Sequence, residues 1–258
     1  MTVDVHAPRV DIFGVDLSVT TYDDATERII AAGQEKRSFA MSALATHGLM
    51  EAVHDPDFRE VVNGLDLVTP DGQPVRWAMN LLHDADLKDR VYGPDLTWKV
   101  CGAAADAGVG IYLFGSTPET CDAFVAAILS EWPHAIISDV QPDRFRDATP
   151  EEDAADIERI NASGAGVVLV GRGCPRQERW VGAHKGQVNA AMMAVGAAFD
   201  YHAGQLKKPP AWMQRVGLEW FWRLALEPKR LFRRYAVTNS QYCLELGKAL
   251  VAKRTKSS

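Results

Sequence analysis

The chain has 258 residues, of which 47% are hydrophobic and 24% charged, the proportions of a soluble globular protein. Its four cysteines, Cys101, Cys121, Cys174 and Cys243, form no C-x-x-C pair, which argues against a structural zinc site or a disulfide framework and fits a reducing cytoplasm. The sequence shows neither a basic-then-apolar leader nor an apolar run approaching ~18 residues, so we expect no signal peptide and no membrane span.

Strands alternating with helices are predicted along most of the chain, an arrangement typical of a doubly wound, mostly parallel, Rossmann-like α/β sheet. In chain order, the predicted elements are a short edge strand and turn at 11–17, a helix at 21–33, a strand at 39–44, helices at 49–54 and 56–63, a strand at 65–68, a helix at 73–82, a strand at 110–115, a helix at 121–132, a strand at 135–140, a helix at 150–163, a strand at 167–170, a helix that opens on Pro175 and a strand at 190–195.

The turn after the strand at 167–170 is rich in glycine. Gly171 and Gly173 let the backbone approach a ligand closely or adopt positive φ, and Pro175 suits the first position of a helix. The free N–H groups of that helix would point into the crevice at the carboxyl end of the strand, where open α/β sheets bind phosphate. The alternative is an ordinary strand-to-helix turn without a ligand.

Other polar residues lie at or near predicted strand ends, and each has two interpretations. Asp71 is either a general base, if burial or a neighbour raises its pKa, or an Asx turn or helix cap. His47, beside Thr46, either binds substrate or shuttles a proton, or is a hydrogen-bonded structural histidine. Arg90 pairs either with a phosphate or with a surface carboxylate.

Two further patterns suggest cofactors, but their context argues against both. Gly108 and Gly110, followed by Asp139, resemble a dinucleotide fingerprint, yet these glycines precede a strand where the fingerprint needs them after it. Asp84 and Asp86 would suit a Mg²⁺ ion but lie in a polar stretch that is typical of a solvated loop. The P-loop, nucleophile-elbow and H-E-x-x-H patterns do not occur in the sequence.

The C-terminal segment (residues 205–258) differs from the rest of the chain. It contains twelve Lys or Arg against three Glu, a net charge of +9, which leaves −15 on the remainder of a chain whose total is −6. Arginines alternate with aromatic residues on two helical stretches separated by Pro228. The segment therefore either lies in a membrane interface, clamps a diphosphate over the active site, or packs as an amphipathic helix with a solvated basic face. We expect an α/β catalytic domain at 1–204 and a basic, aromatic-rich helical appendage at 205–258.

Taken together, the motifs resemble those of the bacterial WecG/TagA/CpsF family, glycosyltransferase family 26, from about residue 11 to about residue 235. The motifs that carry the resemblance are Pro70-Asp71-Gly72, Arg90-Val91-x-Gly93-x-Asp95, Tyr112-Leu113-x-Gly115, Gly173-Cys174-Pro175-Arg176-Gln177-Glu178, Gly196-Ala197-Ala198-Phe199-Asp200-x-x-Ala203-Gly204 and Gly217-Leu218-Glu219-Trp220-x-x-Arg223.

The resemblance implies an inverting, metal-independent transfer from a UDP-sugar to a polyprenyl-diphosphate-linked sugar in cell-surface polysaccharide synthesis. The donors it implies are UDP-N-acetylmannosamine, its uronic acid or UDP-glucose. The implied partners are these substrates and a membrane surface, with a homo-oligomer possible and no nucleic acid. No cofactor is implied, and the implied location is the cytoplasm, at the inner face of the membrane.

The resemblance also implies residue roles. Asp71 becomes the base, Arg90 and Gln177 line the sugar pocket, and Asp200 contacts the nucleotide. Where many members have Thr-Pro-Asn after the second strand, this chain has Ala43-Leu44-Ala45-Thr46-His47-Gly48, and Thr46 or His47 is expected to take over those contacts. The residues expected to bind substrate are Thr46, His47, Arg90, Gly115, Gly171, Gly173, Gln177, Gly196, Asp200, Arg223, Arg230 and Arg233.

Two other functions remain open on the sequence. The first is an NAD-dependent nucleotide-sugar dehydrogenase or epimerase. The second is a non-catalytic module that docks on membranes and binds polyprenyl phosphate.

Overall fold

A computed structural model describes residues 7–256, except for the side chains of Ala211, Arg230, Arg234 and Lys256. The elements in chain order are β1 (Arg9–Ile12), β2 (Val15–Ser18), α1 (Tyr22–Gln34), β3 (Phe39–Leu44), α2 (Thr46–His54), α3 (Pro56–Asn63), β4 (Leu67–Pro70), α4 (Gln73–His83), α5 (Gly93–Asp106), β5 (Ile111–Gly115), α6 (Pro118–Glu131), β6 (Ile137–Gln141), α7 (Pro150–Ala162), β7 (Val167–Gly171), α8 (Arg176–Ala183), β8 (Ala191–Ala194), α9 (Ala198–His202), α10 (Ala211–Arg215), α11 (Glu219–Leu226) and α12 (Pro228–Lys256).

A six-stranded, all-parallel sheet in the order β4-β3-β8-β7-β5-β6 forms the centre of the fold. Both of its faces are covered. Val168 and Val170 of β7 pack with α2, α3, α4 and α8, while Val167 and Leu169 pack with α1, α5, α6 and α9. Burial on both faces explains the uninterrupted apolar run of β7. The predicted Rossmann-like α/β fold is confirmed.

The order of the strands places a crevice between β5 and β7. The chain passes from β5 outward to β6, but from β7 it turns the other way, to β8. Helices on either side of such a reversal cover opposite faces, which leaves the carboxyl ends of the two strands open to a ligand. The ends of β5 and β7 approach each other so closely that only glycine fits at position 115. A Cβ there would lie 2.5 Å from the Gly171 carbonyl oxygen.

The structure corrects several predicted elements. The predicted edge strand at 11–17 is a separate antiparallel hairpin, β1–β2, which turns at Phe13 and Gly14 with positive φ at both positions. Helix α2 begins at Thr46, three residues before its predicted start at 49, and Pro175 precedes α8 instead of opening it. Helix α5 was not predicted at all. It is buried over most of its surface and rich in Ala and Gly, so it lacks the amphipathic contrast that marks surface helices.

The C-terminal segment packs on the body of the protein through α12. The hydroxyl of Tyr242 donates a hydrogen bond to the Pro74 carbonyl at the start of α4, and its ring meets Phe13 edge-to-face. Leu246 packs against the same core. Over residues 7–256, none of the helices is both long enough and apolar enough to cross a bilayer.

Candidate active site

A cavity of about 570 Å³ lies at the carboxyl edge of the parallel sheet. Residues that follow all six of its strands contribute to the walls, and α11 and α12 close one side. Ten of the residues expected at the site line this cavity: Thr46, His47, Asp71, Arg90, Gly171, Gly173, Gln177, Gly196, Asp200 and Arg223.

Among the expected substrate-binding residues that the structure describes in full, two are not lining residues. Gly115 is the buried last residue of β5 and does not line the cavity, and its lack of a side chain permits the close approach to Gly171. Arg233 is exposed on α12 and does not line the cavity, so the structure does not bring it together with the other expected residues. The side chain of Arg230 lies outside the described residues.

Asp71 follows β4 and is half-buried in the wall of the cavity. Its Oδ1 accepts a hydrogen bond of 2.8 Å from the N–H of Gly93, the first residue of α5. It does not cap α4, whose N-cap is Gly72 without a side-chain bond. Burial raises the pKa of Asp71 to about 6, and the Arg90 charge and the Gly93 hydrogen bond oppose that rise. This carboxyl is therefore mostly ionised at neutral pH and still basic enough to accept a proton.

Arg90 is buried beside Asp71, which excludes the surface-pair interpretation. Its two terminal nitrogens bind the two carboxylate oxygens of Glu219, the first residue of α11. The guanidinium also lies over the ring of Tyr92, 4.2 Å from its centroid. Sequence reasoning gave no role to Glu219, since only the folded chain brings it to Arg90.

Arg223 enters the cavity from α11, one turn after Glu219. Its Nε is buried without a hydrogen-bond partner, and its nearest carboxylate in an ion pair is that of Glu227, at 3.8 Å. The positive charge of Arg223 also acts on Asp71, whose pKa it lowers less than Arg90 does. A guanidinium with spare donors in a partly buried site is suited to bind an anionic ligand.

Gln177 and Glu178 of α8 form one wall. The side chain of Gln177 accepts a hydrogen bond from the Gly173 N–H at 3.2 Å and donates to Glu178 at 2.9 Å. Glu178 also accepts from Ser42, while its second oxygen is buried without a partner, and burial raises its pKa. Sequence reasoning missed Glu178 as a lining residue. The sequence did offer one indication of this position. Glu178 comes three residues before the apolar Val181, a spacing that puts both on the same, buried face of α8.

A second cationic cluster lies at the crevice between β5 and β7. Asp143 is buried and pairs with Arg172 at 3.3 Å and with Arg176 at 3.2 Å, so the group carries a net positive charge. Arg172 and Asp143 line the cavity together with Thr117, which caps the start of α6. Sequence reasoning missed this cluster, because Asp143 and the arginines come from different loops.

Thr46 and His47 occupy the first turn of α2, at the cavity wall. The Nδ1 of His47 lies 3.6 Å from Glu51, one turn along the helix. Both residues therefore belong to the lining of the cavity. Asp200 lies on α9, in the sequence motif that begins at Gly196, and it also lines the cavity.

The structure does not place the residues of the two cofactor patterns where a dinucleotide or a metal ion would need them. Gly108 and Gly110 precede β5, and Asp139 is bound by Arg159 at 2.7 Å, so neither is placed as a dinucleotide fingerprint requires. Asp84 lies 3.0 Å from Lys253 of α12. Across residues 7–256, no three His, Cys, Asp or Glu side chains are grouped so as to hold a metal ion.

The fold and the cavity define a Rossmann-like α/β enzyme with a carboxylate and several arginines around one cleft. The chain matches the Glycosyl transferase WecG/TagA/CpsF family over residues 10–256 and belongs to it. It is therefore a glycosyltransferase of cell-surface polysaccharide synthesis, for which the family implies a nucleotide-sugar donor and a lipid-linked acceptor. Membership in this family does not support the dehydrogenase, epimerase and non-catalytic alternatives.

Proposed function

We propose that the protein transfers a sugar, with inversion and without a metal ion, from a UDP-sugar to a polyprenyl-diphosphate-linked sugar. UDP-N-acetylmannosamine, its uronic acid and UDP-glucose are the proposed donors. The observation that carries the proposal is the Asp71 carboxyl, with its pKa raised to about 6, in a cleft that also contains Arg90 and Arg223.

In the proposed reaction, Asp71 accepts the proton of an acceptor hydroxyl. The hydroxyl oxygen then attacks the anomeric carbon of the donor, and the bond from that carbon to the UDP oxygen breaks. The bonding electrons leave with UDP. A single displacement from the opposite face inverts the anomeric configuration.

The leaving diphosphate needs positive compensation as its charge develops. Arg223 is the side chain best placed for this role, since its Nε has no protein partner. Arg172, which lines the cavity together with Gly171 and Gly173, is proposed to support the diphosphate from the β7 side. Thr46, His47 and Gln177 are proposed to contact the donor sugar, and Asp200 the nucleotide.

The C-terminal segment is proposed to dock on the cytoplasmic face of the membrane, where the acceptor lipid lies. It combines a net charge of +9 with exposed aromatic side chains, namely Trp212 at 60%, Phe221 at 53% and Phe232 at 68% exposure. Such a combination suits anionic headgroups and the membrane interface. In this proposal, residues 1–204 are the catalytic domain and residues 205–258 complete the site and carry it to the membrane.

We expect replacing both Phe221 and Phe232 by Ser to remove most of the binding to vesicles rich in phosphatidylglycerol, because the rings supply the apolar contact. Flotation of the full chain with vesicles measures this. Ile136→Ser removes an apolar side chain that is 49% exposed before β6 and should bind as the wild type does. Unchanged flotation of the double variant would contradict docking through this segment.

The proposed function is tested by mass spectrometry of the products from a panel of UDP-sugars and a polyprenyl-diphosphate-linked acceptor. We expect the acceptor to gain one sugar of inverted anomeric configuration, with UDP released and with no loss of rate in EDTA. A retained configuration would contradict the single displacement. A strict requirement for Mg²⁺ would contradict metal independence and return attention to Asp84 and Asp86.

A further inference from the structure

Glu219 ties the C-terminal segment to the centre of the candidate site. Its side chain is 16% exposed and that of Arg90 is 5% exposed, and the two groups meet through both oxygens and both terminal nitrogens. Other ion pairs between this segment and the body, Lys208 with Asp95 and Lys253 with Asp84, lie at the surface. The buried pair is therefore the contact through which docking of the segment acts on the cavity.

A buried ion pair costs much of its attraction in desolvation, but either partner left alone pays the full penalty. Arg90 therefore needs a carboxylate near it whether or not Glu219 is present. The other carboxylate whose charge acts on Arg90 is Asp71. An Asp71 paired with Arg90 has a lower pKa and is a weaker base, and the arginine would stand where the acceptor hydroxyl must approach.

We propose that Glu219 is a positioning residue that holds Arg90 off Asp71 and so leaves that carboxylate free to act as the base. This inference rests on the proposed function, because it takes Asp71 as the base. Arg90 therefore has two alternative carboxylate partners, Glu219 and Asp71. Without the Glu219 carboxylate, Arg90 turns to Asp71 and blocks transfer.

The charged and titratable groups that act on Asp71 come from several elements. Arg90 and Tyr92 precede α5, Tyr201 lies on α9, and Glu219 and Arg223 lie on α11. Of these, Glu219 raises the pKa of Asp71, while Arg90 and Arg223 lower it. His47 and Asp200 line the same cavity from α2 and α9 and remain unchanged in the variants below.

The test is the pH profile of kcat/KM for the full chain and its variants. We expect the wild-type rate to fall below a pH near the Asp71 pKa of about 6. Glu219→Gln should move this acidic limb down by about 1 pH unit, because Arg90 then pairs with Asp71. Its kcat should fall by about 10-fold, and the KM for the donor should change little. Glu219→Asp keeps the charge and should restore the wild-type limb.

Glu245→Gln is the matched control, since Glu245 pairs with Lys248 on α12 and does not line the cavity. Its profile should superimpose on the wild type. Arg90→Gln should move the acidic limb in the opposite direction, upward, and this gives the same test if Glu219→Gln folds poorly. An unmoved limb in Glu219→Gln, or a limb that does not rise in Arg90→Gln, would overturn the inference.

The failure of the proposed function is a separate outcome. If Asp71→Asn retains the acidic limb and the rate, Asp71 is not the base and the limb belongs to another group. If Asp71→Asn is inactive and the Glu219→Gln limb does not move, the base assignment stands and only the role of Glu219 fails.

Discussion

Replacing Asp71 by Asn is expected to abolish sugar transfer and to leave UDP binding intact. The amide keeps the shape of the side chain and the oxygen that accepts from Gly93, but it cannot take the acceptor proton. Loss of a positioned general base costs about 10²–10⁴-fold in rate, and we expect the upper part of that range. UDP release under saturating substrates measures the first effect, and calorimetric titration with UDP measures the second.

The matched control is Asp139→Asn. Asp139 pairs with Arg159 and does not line the cavity, so its variant should transfer sugar at the wild-type rate. Full activity in Asp71→Asn would end the assignment of the base. Loss of UDP binding together with activity would assign Asp71 to the binding of the donor instead.

Replacing Arg223 by Gln is expected to lower kcat by about 10²–10³-fold, the usual cost of losing one donor that stabilises a developing charge. The effect should fall on kcat more than on the KM for the donor, because the charge on the diphosphate grows as the glycosidic bond breaks. Steady-state kinetics of the wild type and of Arg223→Gln measures kcat and KM.

Arg215→Gln serves as the control, since Arg215 is exposed on α10 in the same segment and does not line the cavity. Equal losses in the two variants would show that net charge, and not the position of Arg223, matters. A deletion after Gly204 should also lose activity, but it is the blunter experiment. It removes Tyr242 and Leu246 from the core and so changes folding and chemistry together.

The sequence predicted the repeating strands and helices well, because the central strands are short apolar runs and helices α1, α3, α6 and α7 each begin at a side-chain N-cap. Thr149 with Glu152, for example, forms a complete capping box at the start of α7. Helix α5 was not predicted because its small, buried side chains give no contrast between an apolar and a polar face. The start of α2 was misplaced because Ala45 provides no side-chain cap to mark it.

The candidate site was predictable in its local parts and not in its long-range ones. The glycine turn at Gly171 and Gly173 and the acidic residue Asp71 can each be recognised from the few residues around them, and both line the cavity. The pairing of Arg90 with Glu219 joins distant parts of the chain and has no local signature. The burial that sets the pKa of Asp71 is likewise a property of the assembled cleft.

The contact between Phe13 and Tyr242 has a consequence for biosynthesis. The two rings belong to the first hairpin and the last helix, so one leaves the ribosome near the start of translation and the other near its end. Until release, the nascent chain carries an uncovered aromatic tip on its earliest folded element. Chains interrupted before α12 would lack the Tyr242 ring that covers this tip, which makes them targets for chaperones and proteases.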